Sequence, residues 1–169
     1  CICYTTNKFP GEFVPTVFDN YTLRLNVEDT SINLQIWDSA GQEDYDKVRH
    51  LIYRPKTDVV ILCFSLVSLV SLENIEKIWI PEINQYCQNA SYILVGLKSD
   101  LRDAKNLEFI SNSKCEEIKQ KINAYSYVEC SSSTHYNVNE VFESACKSFL
   151  YHNNIPDSKK DENSSCILI

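Results

Sequence analysis

Val59-Val60-Ile61-Leu62-Cys63-Phe64 and, further on, Tyr92-Ile93-Leu94-Val95-Gly96-Leu97 are apolar without a break. A strand with one face in water alternates apolar and polar residues, whereas a strand covered by helices on both faces does not. These two runs therefore predict central strands of a mostly parallel sheet. Tyr127-Val128-Glu129-Cys130 is a shorter run of the same kind. Upstream, Tyr21, Leu23, Leu25 and Val27 alternate with Thr22, Arg24 and Asn26. After a polar turn from Glu28 to Ser31, Ile32, Leu34 and Ile36 alternate with Asn33 and Gln35. That pattern predicts an antiparallel hairpin with one wet face.

Helical spacing fills the intervals. Leu72, Ile75, Trp79, Ile83 and Tyr86 recur at that spacing. So do Val138, Val141, Phe142, Ala145, Phe149 and Leu150, after Asn137 with Glu140 three residues on as a cap. A weaker helix covers about 114–124. Strands alternating with helices give a three-layer α/β fold whose ligand sites lie beyond the carboxyl ends of the strands. Four junctions matter: after Trp37, Phe64, Leu97 and Cys130.

Composition narrows the function. The 169 residues, 44% hydrophobic and 23% charged, suit one domain with an ordinary core. The net charge of −7 argues against general binding to a nucleic-acid backbone. No apolar run approaches the roughly 20 residues that span a bilayer, and no secretory signal is visible. The eight Cys are scattered, without CxxC or His-spaced pairs, which predicts reduced cytoplasmic thiols.

Three of the junctions carry complementary chemistry. Asp38-Ser39-Ala40-Gly41-Gln42 follows the strand ending at Trp37. Asp38 can hold Mg²⁺ through water, Gly41 lets a backbone N–H approach a terminal phosphate, and Gln42 can orient an attacking water. After Leu97 come Lys98-Ser99-Asp100, where a carboxylate can accept from the ring N–H and the exocyclic amine of guanine while the lysine stem covers the base. After Cys130, Ser131 and Ser132 offer backbone N–H groups to the guanine carbonyl. Singly, each piece has a bland alternative: D-x-x-G is an ordinary turn, and Lys98 with Asp100 a surface pair worth less than ~1 kcal/mol. Phe9, Phe18 and Trp37 would be core aromatics, and His50, His135 and His152 share no motif. Jointly, the pieces form one guanine-nucleotide site.

Read as a whole, the chain resembles the Rho/Rac-type small GTPases. The resemblance rests on 4–12 (Tyr-Thr-Thr-Asn-Lys-Phe-Pro-Gly-Glu), on Pro15 to Tyr21 with its Val-Phe-Asp-Asn-Tyr string, on Trp37 to Tyr45 with Gly-Gln-Glu-Asp-Tyr, and on Cys63 to Ser68, Trp79 to Glu82 and Asp100 to Asp103. It implies GTP/GDP and Mg²⁺ as cofactors. Thr16 would coordinate the metal, with Asp38 in its outer sphere. Ala40 and Gly41 would lie at the phosphates, and Gln42 would be catalytic. Phe9, Lys98, Asp100 and Leu101 would hold the base, with Ser131 and Ser132 beside it. Residues from about 13 to 21 and 41 to 53 would be switch segments ordered by the terminal phosphate. Val17, Phe18, Asp19 and Tyr21 would face effector kinases or scaffolds, and exchange factors, GTPase-activating proteins and a dissociation inhibitor would be partners. Control of the actin cytoskeleton and cell shape would follow.

The chain departs from that family at Leu97, where Thr or Asn is usual, at Ser132 for Ala and at Phe13 for Tyr. The stretch after Asp103 is several residues shorter. The sequence has no Met, opens on Cys1, and has three Gly, none in a G-x-x-x-x-G-K-[ST] phosphate loop. It is therefore expected to lack the loop and the first, central strand of the sheet. Two apolar edges, at 32–37 and 59–64, would be left unpaired. Residues 1–152 would be the GTPase domain and 153–169 a flexible tail. That tail ends in Cys166-Ile167-Leu168-Ile169, a C-a-a-X box whose Cys166 would carry a prenyl group and bring the protein reversibly to the cytoplasmic face of the plasma membrane.

Overall fold

The computed structural model describes residues 1–11, 18–41, 43–45, 49, 53, 56–103, 108–153 and 164–168. Strands β1 (Phe18–Val27) and β2 (Thr30–Ser39) form the expected hairpin, in unbroken antiparallel register from Phe18 opposite Ser39 to Val27 opposite Thr30. Glu28 and Asp29 both take positive φ, 48° and 62°. That is the two-residue turn whose twist matches the flanking strands.

The apolar runs are the parallel strands β3 (Val59–Ser65) and β4 (Ser91–Leu97), followed by β5 (Ser126–Glu129). Their alternate residues feed two cores, which is why neither strand has a polar face. Val59, Ile93, Val95 and Val128 join Ile32, Leu34 and Ile36 of β2 against the long C-terminal helix α5 (Val138–His152). Val60, Leu62, Phe64 and Leu94 face the opposite layer: α2 (Leu69–Asn74), a π-helical turn (Ile75–Trp79), α3 (Ile80–Tyr86) and α4 (Asn112–Lys121). The three-layer architecture is as expected. The short α1 (Ile2–Thr6) docks on α5 by stacking Tyr4 on Phe142, centroids 3.8 Å apart.

Asn137 does not cap α5 with its side chain. It takes φ 53°, and its Nδ2 instead donates to the Glu129 carbonyl at 3.0 Å. An amide that can reach the end of β5 ties strand to helix, which a cap alone would not do.

The larger correction concerns the centre of the sheet. Among the described residues the strands run β1-β2-β6-β3-β4-β5, and β6 is Ser164–Leu168. The slot expected to stand open is filled in part by the chain's own C-terminal segment, and residues 164–168 are a sheet strand rather than flexible tail. The physical reason is connectivity. Parallel strands need a crossover, and α5 supplies one, so a strand that follows it can enter parallel to β2. Ser164 to Leu168 pair with Ile32 to Ile36, but only Val59 of β3 pairs with β6, opposite Leu168. Cys166, expected to be accessible for lipid attachment, is completely buried opposite Leu34.

Candidate nucleotide site

β2, β4 and β5 deliver their carboxyl ends to one edge of the molecule. β4 is followed by Lys98, which takes φ 64°, a left-handed conformation uncommon for a residue with a Cβ. The chain then turns through the 3₁₀ segment Ser99–Asp103, where the Leu101 amide donates to the Lys98 carbonyl at 3.1 Å. The Ser99 amide donates across to Cys130 at 3.2 Å, and Cys130 in turn to Gly96 at 2.9 Å. The loop after β4 is thereby fixed to the loop after β5. Strain held in place this way is typical of a preorganised site.

Asp100 is exposed, and its carboxyl is held below the ordinary value of 3.8, first by a hydrogen bond from Ser131 and then by Ser133. An exposed carboxyl with a lowered pKa is an acceptor at neutral pH, the type of group that guanine recognition requires. Ser131 is wholly buried, and its amide donates to Tyr136 at 3.0 Å. That corrects the expectation for Ser131: its N–H is already engaged by Tyr136 rather than open to a guanine carbonyl. Ser132 lies beside it, and its carbonyl accepts the Cys3 thiol at 3.6 Å, linking this loop to α1. Phe9, past the end of α1, is 55% exposed, free to lie on a flat ligand.

Asp38 faces Asp19 across the hairpin ladder. Burial pushes its carboxyl above the ordinary range, and Asp19 adds to the rise. Asp38 is half-buried and Asp19 exposed; two facing carboxylates are stabilised by a cation, so this end fits Mg²⁺ held through water. Among the described residues no cluster of three or more His, Cys, Asp or Glu could hold a metal by itself. A cavity of about 230 Å³ joins the two halves, with Asp38 and Ser39 on one wall and Cys130 and Ser132 on the other. Leu97 also lines it, an apolar side chain where a polar one would tie the loops.

Gly41 is exposed beside the Trp79 ring, which a Cβ there would meet at 3.5 Å. The Ala40 carbonyl accepts Arg49 Nη1 at 3.0 Å. Thr16, Val17 and Gln42 lie outside the described residues. On β1, Phe18 and Asp19 are exposed, and the Phe18 ring lies 5.6 Å from that of Trp37. The Tyr21 hydroxyl donates to Asp19 Oδ2 at 2.6 Å, which with burial pushes its pKa up to about 12.

No local pattern announces the buried polar network behind Gly41. Arg49 donates Nε to Glu82 Oε1 at 2.8 Å, Tyr53 Oη donates to the same oxygen at 2.8 Å, and the Arg49 guanidinium lies 4.9 Å from the Trp79 ring centre. Arg49 and Glu82 are 33 residues apart, so no local spacing could pair them.

The model of the Ras family matches residues 1–151.

Proposed function

The chain belongs to the Ras family of small GTPases, and on that premise we propose that it is a Rho-type member, a GTP/GDP-switched signalling protein acting on the actin cytoskeleton and cell shape. The observation that carries the reading is Asp100, exposed directly after the end of β4, its carboxyl lowered below the ordinary value by the serines of the neighbouring strand end, Ser131 first. Lys98, Leu101 and Phe9 would complete the base site, with the Ser132 amide meeting the guanine carbonyl. Asp38 and Thr16 would hold Mg²⁺, Ala40 and Gly41 would lie against the terminal phosphate, and Gln42 would orient the hydrolytic water. When bound, the metal would neutralise charge on the phosphates. Its fit here rests on the paired carboxylates Asp19 and Asp38.

The Val-Phe-Asp-Asn-Tyr string supports the Rho assignment, and its exposed Phe18 and Asp19 suit contact with effector kinases or scaffolds. Exchange factors, GTPase-activating proteins and a dissociation inhibitor would act on the same switch. A prenyl group on Cys166 would carry the protein between cytoplasm and plasma membrane. Titration with the GTPase-binding segment of a Rho-family effector kinase tests this reading. Binding that Phe18→Ala abolishes supports it, and failure of the unaltered protein to bind overturns it.

One observation favours a second reading, a nucleotide-free relic or effector-binding interaction module without GTPase activity. β6 occupies part of the central slot, so the sheet gains a strand there without a phosphate loop beside it.

A further inference from the structure

β6 is an unusual central strand. The parallel strands β3 and β4 are apolar throughout their middles, as strands between two helical layers must be, yet β6, between β2 and β3, begins with Ser164 and Ser165. It pairs with β2 at five positions and with β3 at one. It also stops short. Beyond Leu168, opposite Ile36 and Val59, the edges of Trp37–Ser39 and Val60–Ser65 facing the slot carry no ladder among the described residues. The upper slot is open on both sheet faces, since Ser39, Ile61 and Cys63 line a cavity on each. A strand held along one edge and lacking apolar residues at its start is at the weak end of local opening free energies.

Its central residue is nonetheless sealed. Cys166 has no exposed surface and lies in the core that contains Leu34 and Cys146, both also fully buried. Burial, with Cys146 and Asp58 adding, raises its thiol well above the ordinary value of 9.0.

We propose that β6 is a reversibly inserted strand that masks Cys166, so that lipid transfer to this residue requires the strand to leave the sheet. The inference rests on the proposal that Cys166 is lipidated. In that transfer the Cys166 sulfur forms a thioether bond to C1 of an isoprenoid diphosphate. Diphosphate departs with the electrons of the broken C–O bond, and the thiol proton is lost to a base. None of this can occur while the sulfur lies between β6 and α5.

Native-state alkylation with N-ethylmaleimide tests the mask, each cysteine being followed by peptide mass spectrometry and normalised to its rate in the unfolded protein. Cys1 is exposed, whereas Cys87 and Cys115 are buried in the opposite core and report global unfolding. Reversible insertion places Cys166 between them, at least about tenfold slower than Cys1 and about tenfold faster than Cys87 and Cys115. A rate equal to that of Cys1 overturns the insertion, and a rate equal to those of Cys87 and Cys115 overturns its reversibility. Ser165→Pro removes a strand N–H while leaving the C-a-a-X box intact. It should raise the Cys166 rate at least about tenfold with Cys87 and Cys115 still protected, and an unchanged rate in the folded variant counts against the proposal. If the variant unfolds, the ordering in the unaltered protein decides. Incubation of both proteins with geranylgeranyl diphosphate and its protein transferase separates the two ideas. A released Cys166 that alkylates freely but accepts no isoprenoid overturns the lipid reading and still supports the mask.

Discussion

Arg49 and Glu82 meet in the interior, Nε to Oε1 at 2.8 Å, with side chains only 5% and 14% exposed. Arg49 also reaches the Ala40 carbonyl and Glu82 accepts the Tyr53 hydroxyl, so the pair fastens the segment after Gly41 to α3. Removing one partner strands the other charge in the core. Arg49→Ala is expected to cost about 3–5 kcal/mol, whereas the matched apolar pair Arg49→Met with Glu82→Leu costs far less. Urea unfolding midpoints of the three proteins check this. Equal losses for the single and double variants would show that lost packing, not the unpaired charge, dominates.

Gly96 is a close-approach glycine. A Cβ placed there would lie 3.0 Å from Leu66 Cδ2 and 3.0 Å from Tyr127 Oη. Tyr127 has little room to yield, because its hydroxyl donates to Glu129 at 2.8 Å and Glu129 is paired with Arg102 at 2.5 Å. Gly96→Ala is expected to destabilise by about 1–3 kcal/mol, as overpacking does. Thermal unfolding measures it, and a stabilised variant would show that the gain from restricting the unfolded chain outweighs the clash.

Turnover depends on a phosphate cradle, and the 169 residues contain no G-x-x-x-x-G-K-[ST]. They are expected to show no Mg²⁺-dependent GTP hydrolysis above the uncatalysed rate. Joining a strand and such a loop ahead of Cys1 should displace β6 and confer hydrolysis, which Gln42→Leu then reduces. Phosphate release assays decide it, and robust turnover by the 169 residues would contradict the requirement for the loop.

Most of the fold was legible because burial writes itself into local pattern. The unbroken apolar runs of β3 and β4 gave two-sided coverage, and the alternation from Tyr21 to Ile36 gave the hairpin. The position of Lys98 and Asp100 was legible for the same reason, since both follow directly on a recognisable strand. What escaped depends on distance in sequence or on connectivity. Nothing around Arg49 marks Glu82 as its partner. Ser164–Leu168 reads as a polar stretch ending in a C-a-a-X box, and only the return of the chain by α5 makes it a strand. The hydrogen bond from the Ser131 amide to Tyr136 has no local signal either, because Tyr136 lies in a connecting segment with no pattern of its own.

Guanine selectivity through Asp100 tests the account most directly. Saturation-transfer NMR of millimolar GDP and ADP against the protein detects binding too weak for isolation. Saturation of GDP well above that of ADP is expected, with loss of the difference in Asp100→Ala. The Asp100 carboxyl must be ionised to accept, and it sits below 3.8, so the preference should hold unchanged from pH 7 to pH 5 and disappear only under stronger acid. Equal saturation of both nucleotides, or a preference that survives Asp100→Ala, would contradict it.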